Sequence, residues 1–231
     1  MKKILTLLLA FSLVLCAVGC NKVDPDKKSE GVMTHAEFMA AELDSEVVIE
    51  GFVQAKQSWW DNKGTFYLQD GTGGYFVYEM PCSQSEYDSL VVGTKIKVTG
   101  SRAAWGGMDE IMNVTAWEIV GTDTYVAEAV DLTDKLGDNA ELTKYTSALA
   151  AFNDMTVVSF EYGSGSAPDI YLTLSKGDAQ YTFCVECYLT NANSEVYQAV
   201  EALVAGDVVD IEGFVYWYSG SLNTHITKVT K

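Results

Sequence analysis

The chain has 231 residues, of which 15 are Lys or Arg and 32 are Asp or Glu, for a formal net charge of −17. Its single arginine is Arg102, and no segment forms a basic patch. That excludes a tight phosphate-backbone binder, whose affinity comes from Lys and Arg releasing counterions.

Lys2 and Lys3 precede an apolar run, Ile4–Val18, that ends in Ala17-Val18-Gly19-Cys20. A basic start, an apolar core and a small residue before the cut describe a secretory signal over residues 1–19. The run is shorter than the roughly 20 residues a membrane span needs. The AVGC ending resembles the bacterial lipobox, with Ala17 where that pattern usually has Leu. The resemblance implies cleavage before Cys20, diacylation of Cys20 and a lipid-anchored, extracytoplasmic protein of the bacterial cell envelope. Residues 20–33 are mostly polar, without periodicity, and are expected to form a flexible tether.

From Thr34 the sequence acquires periodicity. THAEFMAAEL opens with the Thr34/Glu37 capping-box pattern and predicts a short helix. Alternating strands are expected at Val47–Val53, Thr65–Gln69 and Tyr75–Glu79. The loop Gln54–Gly64 and the turn DGTGG separate them. A helical or irregular crossing at Ser85–Gly93 leads to the strand GTKIKVTG, Gly93–Gly100. The stretch SRAAWGGMDE then connects to a fifth strand, Ile111–Val120.

After an acidic linker at 121–139 the order recurs over 140–231. A helix is predicted at Glu141–Phe152, then strands in MTVVSFEY, DIYLTL and YTFCVECYL. A clearer helix at Ser194–Gly206 leads to GDVVDIEG, which echoes GTKIKVTG, and NTHITKVT closes the copy. The expectation is a mainly β chain of two five-stranded barrels in tandem, 34–120 and 140–231. Each has a short helix before its first strand and another between its third and fourth. GTFYLQDGTGGYFVY followed by GTKIKVTG resembles the OB-fold domain of the tRNA-anticodon and helicase type, including versions on bacterial envelope proteins. The second copy is more divergent, with KGDA in place of DGTG.

In that fold, ligands cross the outer face of strands two and three, flanked by the loops joining strands one to two and four to five. If Phe66 and Leu68 point inward, Tyr67, Phe76 and Tyr78 point outward. The flanking loops add Trp59, Trp60, Trp105 and Arg102. These seven residues are the expected binding surface for an extended ligand. By resemblance it is single-stranded nucleic acid, held weakly given the charge; by charge it is an oligosaccharide. The alternative is that the aromatics pack at a seam, within the chain or against an envelope protein partner, as Trp and Tyr commonly do. For Tyr216, Trp217 and Tyr218 packing is the expectation.

No catalytic constellation is visible. His35 and His225 lack a partnered nucleophile motif, and pairs such as Asp109-Glu110 read as solvated loop charge. Cys184-Val-Glu-Cys187 has redox spacing but lies in a strand pattern, where residues three apart face opposite ways. Neither an enzyme activity, a cofactor nor a metal site is expected.

Overall fold

The computed structural model describes residues 23–231. The signal segment and Cys20 lie outside the described residues. From Lys27 onward the expected tether is docked on the first half. Lys28 pairs with the buried Asp70 carboxylate, the Ser29 amide donates to Glu50, and Lys95 donates to the Lys27 carbonyl.

Helix α1 (His35–Ala40) starts where the capping box predicts, with Thr34 and Glu37 satisfying each other's backbone amides. Strands β1 (Glu46–Lys56), β2 (Lys63–Gln69), β3 (Gly74–Pro81), β4 (Thr94–Trp105) and β5 (Met108–Thr124) follow, with helix α2 (Gln84–Ser89) between β3 and β4. They close a barrel in the order β1-β2-β3-β5-β4, with β4 returning to β1 and with β3 and β5 parallel. This is the five-stranded plan expected for 34–120. Alternation supplies its interior: Val47, Ile49, Phe66, Leu68, Val77 and Ile96 are buried together, with Phe38 of α1 packed on Tyr75.

The stretch Ser101–Glu110 is not a loop. β4 and β5 run on as one hairpin, turned by Gly106 and Gly107 at φ +62° and +105°. A two-residue turn with both φ positive matches the twist of the strands it joins, and glycine adopts it at no steric cost. Trp105 and Met108 face each other beside that turn.

The stretch 121–139 is bound to its surroundings rather than open. β5 continues to Thr124, Tyr125 packs on Phe52, and the Ala127 amide donates to Gln54. Strand β6 (Val130–Asp131) then pairs with the second half, and Leu132 is buried in its core.

The predicted helix Glu141–Phe152 is corrected. Only α3 (Asn139–Leu142) and a 3-10 turn at Thr143–Tyr145 are helical. Ser147 turns at φ +64°, and β7 (Leu149–Tyr162) begins two residues later. Leu149–Phe152 pair with a neighbouring strand, so tertiary pairing overrides the helical spacing of Leu142, Tyr145 and Leu149. Strands β8 (Ile170–Lys176) and β9 (Ala179–Val185) follow, then helix α4 (Glu195–Glu201) and β10 (Val208–Phe214). A small ribbon of β11 (Trp217–Tyr218) and β12 (Ser221–Leu222) leads to β13 (His225–Thr230). The pairings run β7–β8–β9–β13–β10, with β10 also paired to β7 and with β9 and β13 parallel.

The two halves share one apolar seam. Tyr67, Phe76 and Met108 of the first half belong to the same buried cluster as Phe152, Phe183 and Phe214 of the second. β2 is accordingly buried along almost its whole length, inward and outward residues alike. Among the described residues, no helix is long and apolar enough to cross a membrane.

Candidate functional site

A cleft of about 610 Å³ opens along the seam. The first half contributes Phe76 and Tyr78 from β3, Trp105 from the hairpin tip, and Glu110 and Met112 from β5. The second half contributes Tyr171 and Cys184 from neighbouring β8 and β9, Glu186 and Tyr188 just beyond, and Tyr216, Tyr218 and His225. Among the described residues, no lysine or arginine lines it. Its volume falls within the range of small-molecule sites.

Hydrogen bonds across the seam hold the two walls together. Gln57 donates to the Glu186 carboxylate at 3.1 Å, and the Ser58 amide donates to the Tyr188 carbonyl at 2.7 Å. At the hairpin tip the Gly220 amide donates to the Gly106 carbonyl at 3.0 Å, and the Trp105 and Tyr218 rings tilt against each other 5.7 Å apart. In the cleft wall, Tyr216 stacks on His225 at 4.0 Å and meets the edge of Phe76 at 5.8 Å.

Burial is the leading cause of the largest shifts in the cleft. It pushes Glu110 and Glu186 up to about 7, pushes Tyr171 up to about 12, and pulls His225 down to about 3. For Glu186, hydrogen bonds from the Tyr188 and Leu189 amides partly offset that rise. Glu110 has no such partner among the described residues. Burial also raises the Cys184 thiol well above its ordinary range, which keeps it un-ionised and a poor nucleophile.

The seven residues expected to bind are dispersed. Tyr67 and Phe76 do point out of the first barrel, but the second half covers them. They are 0% and 2% exposed, and Tyr67 stacks on Phe214. The expectation of an open outward track is therefore corrected for these two: on this face the aromatics pack at a seam within the chain. Tyr78 and Trp105 line the cleft, with Trp105 54% exposed. Trp60, 70% exposed, lines a smaller recess beside it with Lys63 and Tyr188. Trp59 is half-buried, its indole donating to the Cys82 carbonyl. Arg102 faces elsewhere, held by Asp109 and the Ala41 carbonyl at the end of α1.

In the second half Tyr216 and Trp217 are packed, as expected, with Trp217 donating to Thr146. Tyr218 stays half open on the cleft. Glu110, read from sequence as solvated loop charge, is a buried strand residue. Only the parity of β5, which would turn Glu110 and Met112 to one side, offered a sequence signal for it. Cys82, Cys184 and Cys187 are free thiols. Asp169, Glu186 and Cys187 bring donor atoms within 4.8 Å of one another. Both carboxylates there already accept backbone amides, from Cys187 and from Tyr188 and Leu189, so the cluster is satisfied internally.

No known protein family and no curated protein matches the sequence. Among solved structures, a hypothetical protein of E. coli, ygiW, is 16% identical over 38% of this chain and 89% of its own, with a TM-score of 0.29. A murine DNA-binding protein bound with double-stranded DNA is 11% identical over 81% and 99%, with a TM-score of 0.35. The Entamoeba histolytica asparaginyl-tRNA synthetase is 11% identical over 77% and 52%, with a TM-score of 0.33.

Proposed function

We propose that this chain is a non-enzymatic, lipid-anchored protein of the bacterial cell envelope that holds an oligosaccharide in the cleft between two OB-type barrels. The tandem reading is supported by the strand pairings. β7–β8–β9–β13–β10 repeats the order β1-β2-β3-β5-β4, each with its third and fifth members parallel and its first and fourth joined.

The observation that carries the ligand class is the lining of the cleft: aromatic rings from both halves, with carboxyls and, among the described residues, no cationic side chain. Ring faces suit sugars and bases alike, but nucleic acid brings phosphates. A wall holding Glu110 and Glu186, on a chain of net charge −17, repels them and offers no cation in return. Hydrolysis of a bound glycan has one observation in its favour, two carboxyls raised to about 7 in one cleft. Such hydrolases need environments that push the two groups apart, one acid and one carboxylate. Here burial raises both alike, which favours binding.

Titration of the protein lacking its signal with a neutral glucose hexasaccharide, and separately with single-stranded DNA, tests this. Tryptophan fluorescence should report saturable sugar binding that is indifferent to salt. DNA should bind weakly at physiological ionic strength. Tight DNA binding that collapses with salt would overturn the ligand class. For the anchor, Cys20→Ser should release the protein from the membrane fraction, and continued membrane association would overturn the lipid attachment.

A further inference from the structure

Four carboxylates are buried among the described residues: Glu50, Asp70, Glu110 and Glu186. Three have a cation or a donor on at least one oxygen. Glu50 pairs with Lys95 at 2.9 Å through Oε2, its Oε1 having no partner among the described residues, and Asp70 pairs with Lys28 and accepts from Thr72, Gly73 and Tyr75. Glu186 accepts from Gln57, Tyr188 and Leu189. Glu110 is the exception. It is 3% exposed, faces the cleft, and has neither a hydrogen-bond donor nor a cation among the described residues.

A buried carboxylate without a partner is costly, and folds compensate such groups with paired charges or hydrogen bonds. β5 holds Glu110 in place on both sides, opposite Ala103 in the hairpin and beside Phe76 in the parallel ladder. The side chain thus has little freedom to leave the cleft. Tyr78, Tyr216, Trp105 and Tyr218 line the same space. Aromatic faces attract cations and gain most when water is excluded.

We propose that Glu110 makes the cleft selective for glycans carrying a protonated amine, the ammonium pairing with its carboxylate between the surrounding rings. This rests on the reading that the cleft binds sugars. A neutral sugar hydroxyl offers Glu110 a hydrogen bond only, whereas an ammonium also supplies the opposite charge that this carboxylate lacks.

Three oligosaccharides of equal length test the selectivity by calorimetry at neutral pH: a glucosamine oligomer, its fully N-acetylated counterpart and a glucose oligomer. The glucosamine oligomer should bind about tenfold or more tightly than either neutral probe. Glu110→Gln, close in shape and uncharged, should abolish that preference, so that the three probes bind alike. Equal affinities for the three in the native protein, or a preference that survives Glu110→Gln, would overturn the amine selectivity and leave sugar binding standing. Binding by none of the three would overturn both. If the variant does not fold, the native protein's ranking of the probes still decides.

Discussion

Tyr67 Oη and His225 Nδ1 lie 2.9 Å apart across the seam, each the other's buried polar contact between the two halves. Burial keeps His225 neutral and raises the Tyr67 hydroxyl far above its ordinary range, so the contact joins two uncharged groups. Tyr67→Phe removes the hydroxyl but keeps the ring on Phe214, leaving a buried histidine nitrogen without its contact. The expected loss is about 1–3 kcal/mol of unfolding free energy, measured by urea titration. A variant as stable as the parent would mean that another group takes up the nitrogen.

The seam also depends on an absent side chain. A Cβ on Gly74, at the start of β3, would stand 2.2 Å from the Ser147 carbonyl carbon and 2.3 Å from its oxygen. These are backbone atoms and cannot swing aside, and Gln69 nearby accepts the Leu149 amide at 2.8 Å. Gly74→Ala is expected to push the halves apart at a cost of about 1–3 kcal/mol, seen as a lower melting temperature. It should also increase dye binding to exposed apolar surface. An unchanged melting temperature would show that the two halves do not meet closely at Gly74.

The first barrel was legible because alternation there is strict. Ile96 and Val98 face in, the Thr34/Glu37 box marks α1, and DGTGG marks the β2–β3 turn. Periodicity reports only which residues alternate, not what later covers their outer face. Tyr67 and Phe76 were correctly placed on the outside of that barrel, yet the residues that bury them, Phe214 and Tyr216, come some 140 positions later. For the same reason the cleft was half visible. Tyr78 and Trp105 could be named, while Glu186, Tyr188 and Tyr218 became neighbours of them only through the seam. At Leu149–Phe152 helical spacing lost to strand pairing, a contest decided by a partner distant in sequence.

Glu110 gives the pH dependence of stability an identifiable component. Burial raises it to about 7, so it holds a proton more tightly folded than unfolded. Its contribution is complete below the unfolded glutamate pKa of about 4.3 and is lost as pH rises through about 7. His225 acts in the opposite sense. With its pKa lowered to about 3, its contribution is present above about 6.5 and lost as pH falls toward 3. The native curve mixes both, and Glu110→Gln separates them. Relative to the native protein, the variant should gain about 1–3 kcal/mol between roughly pH 5 and pH 8, followed by urea unfolding at each pH. A difference that does not change with pH would place Glu110 in its ordinary range and weaken the case for an unpaired buried carboxylate.

The tryptophans separate the cleft from the recess beside it. Trp60 and Trp105 are 70% and 54% exposed, Trp217 is buried, and Trp59 and Trp117 are half-buried with their indole nitrogens bonded to the Cys82 and Pro81 carbonyls. A neutral quencher such as acrylamide should therefore act mainly on Trp60 and Trp105. Trp105 lines the cleft, while Trp60 lines the smaller recess with Lys63 and Glu79. Saturating oligosaccharide should shield Trp105 and leave Trp60 accessible. In a Trp60→Phe variant the ligand should then protect most of the quenchable fluorescence. In a Trp105→Phe variant it should protect almost none, and the affinity should weaken by about tenfold through loss of one stacked ring. The reverse pattern, with protection surviving Trp105→Phe and vanishing in Trp60→Phe, would move the bound sugar out of the cleft and into the recess beside Lys63.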